Sequence, residues 1–445
     1  MKTRSLLAAA VVLAALTTTL YWSNHHKSAE SSADTSIESS PKILTVQQAE
    51  VTGLSIRTKG SDSAVLSRND AGQWQITAPK TLAADQDAVS SVLSTLSSLN
   101  SDRLVEDKAS SLEQYGLAQP PIELEITKKD KKTQHLLIGD DTPTGNDAYA
   151  MVRGDSRVFT LASYNKSALL KSVNDLRDKR LLTFDSDKVS SIELTAKKQT
   201  VAFGRSKDQW QIVKPRPFRA DRSQVEDLLR ILHDAKMDLS ASEDEKKVSA
   251  AFASGVPFAS AKVTDVSGMQ EFHVRKNKDD YYAKSSAVAG VYKISRATGT
   301  GLDKNLDDFK NKRLFDFGFA DPDKIEVHDG SKGYLLTRSG SDWWSSGTKM
   351  DSSTLSALID KIRDLSATKF PESGFTAATL NLTVTSDGGK RIEKVQISKN
   401  GDFYVAKREN EPALYELTSS AVTELQKSAA DLKPAAVPSV PATKK

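Results

Sequence analysis

The sequence predicts an α+β fold made of three tandem repeats, each a mainly antiparallel sheet with one longer amphipathic helix and shorter helices. The first observation behind this is a repeated phrase. Trp-Gln-Ile-Thr-Ala-Pro at Trp74–Pro79 returns as Trp-Gln-Ile-Val-Lys-Pro at Trp210–Pro215, 136 residues later, and a reduced third copy is readable at Trp344 and Asp351. The second is a helical stripe behind each copy. Val89, Val92, Leu93, Leu96 and Leu99 follow Asp85; Val225, Leu228, Leu229 and Leu232 follow Asp221; Leu355, Leu358, Ile359, Ile362 and Leu365 follow Asp351. These spacings put apolar side chains on one face of a helix, and the first lies four positions after the Asp every time. The third is alternation. Ile122, Leu124 and Ile126 alternate with Glu123, Glu125 and Thr127, and Leu380, Leu382 and Val384 with Asn381, Thr383 and Thr385, so one strand face packs and the other meets water. Recurrence at a fixed period is the signature of a repeat architecture.

Taken from the amino terminus, Lys2 and Arg4 precede an uncharged run from Ser5 to Asn24, 20 residues long. As a helix it would reach about 30 Å, the thickness of a bilayer core. Tyr21 and Trp22 stand at its far end, where amphipathic rings favour the membrane interface. Residues 1–24 therefore read as a signal anchor or a cleaved signal peptide, and both place the rest of the chain outside the cytoplasm. Residues 25–42, rich in Ser, Ala and acid, read as a flexible tether.

Unit one is expected over residues 43–185. Val51–Arg57, Ala64–Arg68 and Trp74–Thr77 read as strands separated by turns at Gly60 and at Asp70–Gly72. Asp85 is placed to cap the helix, because a short carboxylate accepts the unpaired N–H groups of a first turn. Unit two is expected over 186–318 and unit three over 319–433. A late strand pair recurs as Tyr149 with Val158–Leu161, Tyr282 with Val291–Ile294 and Tyr404 with Leu414–Leu417, and a short helix ends each unit. Arg177-Asp178-Lys179-Arg180-Leu181-Leu182-Thr183-Phe184-Asp185 and Lys310-Asn311-Lys312-Arg313-Leu314-Phe315-Asp316-Phe317-Gly318 form matching joints; the last unit lacks one. Residues 434–445 carry Pro434, Pro438 and Pro441 and read as a disordered tail.

The Trp-x-Ile-x-x-Pro step, Ala84-Asp85 and Ala220-Asp221, Tyr115-Gly116-Leu117 before Pro120 and the Arg-Asp-Lys-Arg-Leu-Leu joint together resemble the bacterial family called domain of unknown function 4340. The resemblance is clearest over residues 46–185. It implies an exported or membrane-anchored protein that accompanies a gliding-motility-type ABC transporter, and it supplies no catalytic residues to carry over.

Composition removes several chemistries. The chain has no cysteine, which excludes disulfides, thiolate nucleophiles, Cys-ligated zinc, iron–sulfur clusters and an acylated lipoprotein anchor. Sixty-two basic and 58 acidic residues are interspersed, a net +4 with no basic stripe for nucleic acid. No Gly-x-Gly-x-x-Gly, Walker loop or Gly-x-Ser-x-Gly is present, so no nucleotide is expected and no nucleophile elbow. Gly154-Asp155-Ser156-Arg157-Val158 comes nearest to the last and lacks its closing Gly.

His25, His26, His135, His233, His273 and His328 are scattered, whereas metal ligands must converge. Asp140, Asp141 and Asp147 flank Thr142-Pro143-Thr144-Gly145-Asn146, which carries oxygen ligands but reads first as a hairpin turn. Trp74 and Trp210 read as core residues; Trp343 and Trp344, adjacent on a strand, face opposite ways, leaving one exposed. Lys179-Arg180 and Lys312-Arg313 at the joints read as paired or solvated charges, with contact to a partner or lipid headgroup as the alternative.

The expectation is therefore a non-catalytic scaffold or adaptor at the inner membrane, with its bulk extracytoplasmic, protein partners in the envelope and ABC-transporter subunits among them. No catalytic, cofactor-binding or metal residues are assigned. A cell-wall glycan- or peptide-binding module is the alternative, and an envelope hydrolase with a dispersed site a third reading.

Overall fold

A computed structural model of the chain describes residues 43–206, 209–239 and 244–436. The expected anchor over 1–24, the tether over 25–42 with His25 and His26, and the tail from residue 437 lie outside the described residues. Among the described residues no helix is long and apolar enough to cross a membrane. The fold is α+β with repeated antiparallel sheet units, three sheets in all among the described residues.

The chain divides into two compact units, Met1–Asp178 and Lys179–Lys445. The first holds one sheet of nine strands: β1 Val51–Thr58, β2 Ala64–Arg68, β3 Trp74–Ala78, β4 Leu82–Ala83, β5 Arg103–Glu106, β6 Ile122–Lys128, β7 Thr133–Asp141, β8 Asp147–Val152 and β9 Val158–Ala162, in the order β4-β3-β2-β1-β6-β7-β8-β9-β5. The second unit holds two sheets. One has β10 Ser191–Ala196, β11 Gln199–Ser206, β12 Gln209–Lys214, β13 Phe218–Arg219, β14 Val256–Asp265, β15 Gly268–Asn277, β16 Asp280–Ser285 and β17 Val291–Ile294, in the order β13-β12-β11-β10-β14-β15-β16-β17. The other has β18 Lys324–Asp329, β19 Lys332–Ser339, β20 Asp342–Ser345, β21 Thr348–Lys349, β22 Leu380–Ser386, β23 Arg391–Asn400, β24 Phe403–Arg408 and β25 Leu414–Thr418, in the same order. In each sheet a four-strand meander runs outward, a helix crosses back, and a second meander starts beside the first strand.

That helix is Gln86–Ser97, Arg222–His233 and Ser352–Asp364 in turn. Its cap is the expected Asp. Asp85 accepts from Asp87 N and Ala88 N, Asp221 from Gln224 N and Asp351 from Thr354 N, at 3.0 to 3.2 Å. Its apolar stripe is buried in every copy and packs with the inward faces of the strands, Leu54, Ile56, Leu124 and Ile126 in the first sheet. The two sheets of the second unit share one continuous core, running from Leu181 to Ala429.

Three backbone clamps recur. At the hairpin edge, the N–H of the capping Asp donates to the closing segment: Asp85 to Leu176 O, Asp221 to Phe309 O and Asp351 to Lys433 O. At the other sheet edge, the residues behind the helix cover the last strand: Asp102 N to Thr160 O, Asp238 N to Lys293 O and Thr368 N to Glu416 O. Under the helix end, an entering segment donates to the same stretch: Ile43 N to Leu99 O, Leu181 N to Ala235 O and Leu314 N to Leu365 O. These bonds occupy backbone groups at both edges of each sheet.

Several expectations change. The first unit ends at Asp178, ahead of the boundary expected at residue 185, because Leu181, Leu182 and Phe184 are buried in the core of the second unit. The third sheet lacks the joint sequence yet keeps its clamp, since backbone pairing needs no particular side chain; Ala435 N, inside the expected tail, still donates to Lys349 O. The helix closing the third sheet, Ser419–Ala430, has 12 residues and is not short. The counterpart of Trp74 and Trp210 is Trp343, not Trp344. Arg68, Arg205 and Arg338 pair in register with Trp74, Trp210 and Trp343, all three of which are buried, whereas Trp344 is 39% exposed. The hairpin after Trp343 is shorter, turning at Ser346-Gly347 where the other two turn at cis Ala78-Pro79 and Lys214-Pro215.

Tyr115-Gly116-Leu117 lies against β7. Gly116 has φ +66°, and a Cβ there would sit 2.5 Å from Asp140 Cγ, while one on Gly139 would sit 2.1 Å from Tyr115 O. Only glycines let these two backbones approach.

Trp343→Ala is expected to destabilise the second unit by about 3–5 kcal/mol in chemical denaturation, the cost of emptying a buried aromatic site. Trp344→Ala is expected to stay within about 0.5 kcal/mol of the parent. Equal effects would contradict the register.

Candidate functional site

Residues expected to carry chemistry are placed apart. His135 on β7 lies 3.4 Å from Glu123, His233 3.1 Å from Asp234 and His273 3.4 Å from Glu271; His328 sits on β18 against Gly333. No group of three or more His, Cys, Asp or Glu side chains that could hold a metal occurs among the described residues. The Asp140–Asp147 stretch closes as the β7–β8 hairpin, with Gly145 N donating to Thr142 O, Thr142 N to Asp147 O and Lys166 Nζ to Asp141. Ser156 Oγ donates to Asp107 O. Glu123 gathers Arg57, Arg153 and His135 on the outer face of the first sheet. Burial works to raise its carboxyl, but the two guanidiniums and the imidazole outweigh that and hold it low.

What the sequence did not announce is a cleft of about 710 Å³ inside the second unit, between the β12–β13 hairpin and strands β23–β24 with the turn behind them. Its floor is a chain of charges. Arg219, from β13, pairs with Asp316 and with Glu411 at 3.0 Å, donates to Arg313 O, and reaches the Tyr415 hydroxyl at 3.3 Å. Arg408, from β24, pairs with Glu411 at 2.8 Å and Glu393 at 3.1 Å and donates to Leu314 O. Tyr415 donates to Glu411 at 2.7 Å. Glu393 accepts Asp316 N at 3.0 and 3.1 Å, Asn311 Nδ2 donates to Asp316 at 3.0 Å, and Arg391 donates to Asp316 O at 2.6 Å.

Two guanidiniums, those of Arg219 and Arg408, thus meet three carboxylates, Arg391 donates to a backbone carbonyl beside them, and each carboxylate has a cationic or backbone donor. Burial of this kind is tolerable only because every partner is satisfied. Burial opposes the charge of Arg219, but Tyr415, Asp316 and Glu411 outweigh it and raise the guanidinium further. Burial pushes the Tyr415 hydroxyl up to about 12, with Glu411 adding to the rise and Arg219 opposing it. Beside the network, the Lys310 ammonium lies between the rings of Phe218 and Phe370, 4.4 and 4.6 Å from their centroids, and pairs with Asp307. Of the joint cations, Lys312 and Arg313 are exposed.

These side chains come from Arg219, the joint, β23, β24 and the turn at Glu411, up to 196 residues apart. The one sequence signal was the joint, which already carried Asn311, Arg313 and Asp316. The arrangement pairs its charges internally and positions two sheets; among the described residues no histidine lines it to complete a carboxylate–hydroxyl–imidazole relay.

The family model described as "Domain of unknown function (DUF4340)" matches residues 74–250 and again 210–383. No curated protein matches the chain. Among solved structures, a DNA polymerase sliding clamp from Pseudomonas aeruginosa aligns at 7% identity and TM-score 0.17, covering 82% of this chain and 91% of that one. A second sliding clamp from the same organism, bound to griselimycin, aligns at 8% identity and TM-score 0.13, covering 85% and 93%. Scores this low carry no argument about fold or function.

Arg219→Met is expected to destabilise the second unit by about 3 kcal/mol, because Asp316 and Glu411 lose a buried cation. Arg216→Met, whose pairing with Glu372 is exposed, is expected to change little, about 0.5 kcal/mol at most. Urea denaturation separates the two. The raised Tyr415 hydroxyl sets a pH dependence. Its folded value exceeds the unfolded one near 10, so its contribution is intact below pH 10 and is lost as pH climbs to about 12. That loss is on the order of 2 kcal/mol and is expected to vanish in Tyr415→Phe, which melting curves across that window would read.

Proposed function

We propose, for a chain that belongs to the family described as domain of unknown function (DUF4340), a non-catalytic role as an extracytoplasmic scaffold or adaptor. The observation that carries this reading is the self-neutralised network at the cleft. The carboxylates that converge there, Asp316, Glu393 and Glu411, are held by Arg219, Arg408 and backbone donors, an arrangement that keeps sheets in register and is unsuited to proton transfer or nucleophilic attack. Repeated sheet units with covered edges present broad, rigid surfaces, which is what an adaptor needs.

The three sheets are read as three copies of one unit, the first ahead of the division at Asp178 and the other two in tandem behind it. The uncharged stretch Ser5–Asn24 would hold them at the inner membrane, extracytoplasmic side outward. The partner, on the strength of the family resemblance, is an envelope complex of the ABC-transporter type. Stacking of glycan on paired tryptophans is the weaker alternative, because Trp343 is buried and only Trp344 of the pair is available.

The test is co-purification of the full chain from detergent-solubilised membranes after in vivo cross-linking. The expected result is a transporter membrane subunit recovered in stoichiometric amount, with the intact mass of the chain showing residues 1–24 retained. Recovery of the chain alone, or from the soluble fraction with no partner, would overturn the reading.

A further inference from the structure

The three hairpins treat one backbone position differently. In the first sheet the side-chain amide of Gln86 fills a gap at the strand edge: its Oε1 accepts from Trp74 N at 2.8 Å, and its Nε2 donates to Trp74 O and Ala84 O, both at 2.9 Å. The side-chain amide stands in for the N–H and C=O of a missing strand residue. In the third sheet the gap is shut by the chain itself, with Met350 N donating to Trp343 O at 2.8 Å.

The second sheet has neither device. Arg205 N donates to Ser190 O, away from β12, so the Arg205–Trp210 pairing exchanges no backbone bonds and the N–H and C=O of Trp210 face the β13 side. There Arg222 stands at the position of Gln86 and Ala220 at that of Ala84. Among the described residues, nothing is bonded to the Trp210 backbone on that side. Trp210, Ala220 and Arg222 all line the cleft, so this strand edge opens into a cavity large enough for several residues.

We propose that the cleft receives an extended peptide, one residue of which takes the place that the Gln86 amide takes in the first sheet. The C=O of that residue accepts from Trp210 N–H and its N–H donates to Trp210 C=O, a single rung of strand addition. The carboxylates of the floor are already held by Arg219 and Arg408, whereas the nearest carboxylate to Arg391 is the exposed Asp387 at 3.5 Å. An acidic side chain on the peptide therefore pairs with Arg391. The exposed Ile392, with Pro217 and Pro412, supplies the apolar contact. This deepens the adaptor reading by naming the chemistry of the segment a partner would offer.

The probes are fluorescein-labelled hexapeptides Ala-Gln-X-Val-Gln-Ala with X as Glu, Gln or Lys, and the Glu peptide N-methylated at its central amide, titrated by anisotropy against the full chain. The Glu peptide is expected to bind tightest and the Lys peptide weakest, and N-methylation to weaken binding by about five-fold or more. Arg222→Gln gives the second sheet the amide plug of the first and is expected to weaken binding about ten-fold or more, with the melting temperature kept. Arg222→Ala, which removes the same charge without the plug, is expected to stay within about three-fold of the parent. Absence of binding by every peptide, indifference to N-methylation, or equal behaviour of the two variants would each overturn the proposal. Co-purification of a transporter subunit that survives Arg222→Gln would leave the adaptor reading standing while the cleft's role fell.

Discussion

The structure hangs on a backbone constraint: the residue that caps each long helix also ties down the segment that closes its sheet. The side chain of Asp85, Asp221 or Asp351 satisfies the first turn, and its own N–H reaches the closing segment. One residue thus sets the helix start, the hairpin edge and the end of the sheet together. From that edge the chain moves directly into the next core in the second unit, where Leu314, Phe315 and Phe317 are buried beside residues of both sheets. A segment that bridges a sheet edge at one end and enters the core at the other cannot be moved without disturbing two sheets.

On this frame the charges at the cleft differ between the two sheets of the second unit. Where the third sheet has Asp316, Glu393 and Arg408, the second has Thr183, Gln270 and Ser285, and it keeps the same geometry with neutral groups: Thr183 N donates to Gln270 Oε1 at 2.9 Å as Asp316 N donates to Glu393. The backbone contact is the constant, and the ionic version adds specificity and a pH response to it. A fully paired buried network is weak as a net source of stability yet costly to break at one member, which is why a single arginine, Arg219, matters there.

Much of the architecture was legible. Helical stripes, Asp caps and alternating strands are local patterns, and their burial follows directly from period and polarity. The joint was legible as a repeated phrase, but its meaning was not: Leu181-Leu182-Thr183-Phe184 looks like the end of one unit and is the start of the next. Trp343 and Trp344 show a sharper limit. Both are tryptophans on one strand, and the sequence reading took the second; only the pairing of Arg338 with Trp343 decides which faces the core. The cleft was illegible, since its members are brought together from four separate stretches by sheet packing.

The amino-acid sequence by itself determined the secondary structure, the repeat, the capping and the absence of thiol chemistry, because each of these depends on residue type at short range. Tertiary structure alone decided which tryptophan is core, where one unit ends, which charges neutralise which, and that the Trp210 edge stands open where Gln86 closes its counterpart. Those facts depend on distances between residues far apart in the chain, and a one-dimensional pattern carries no such distances.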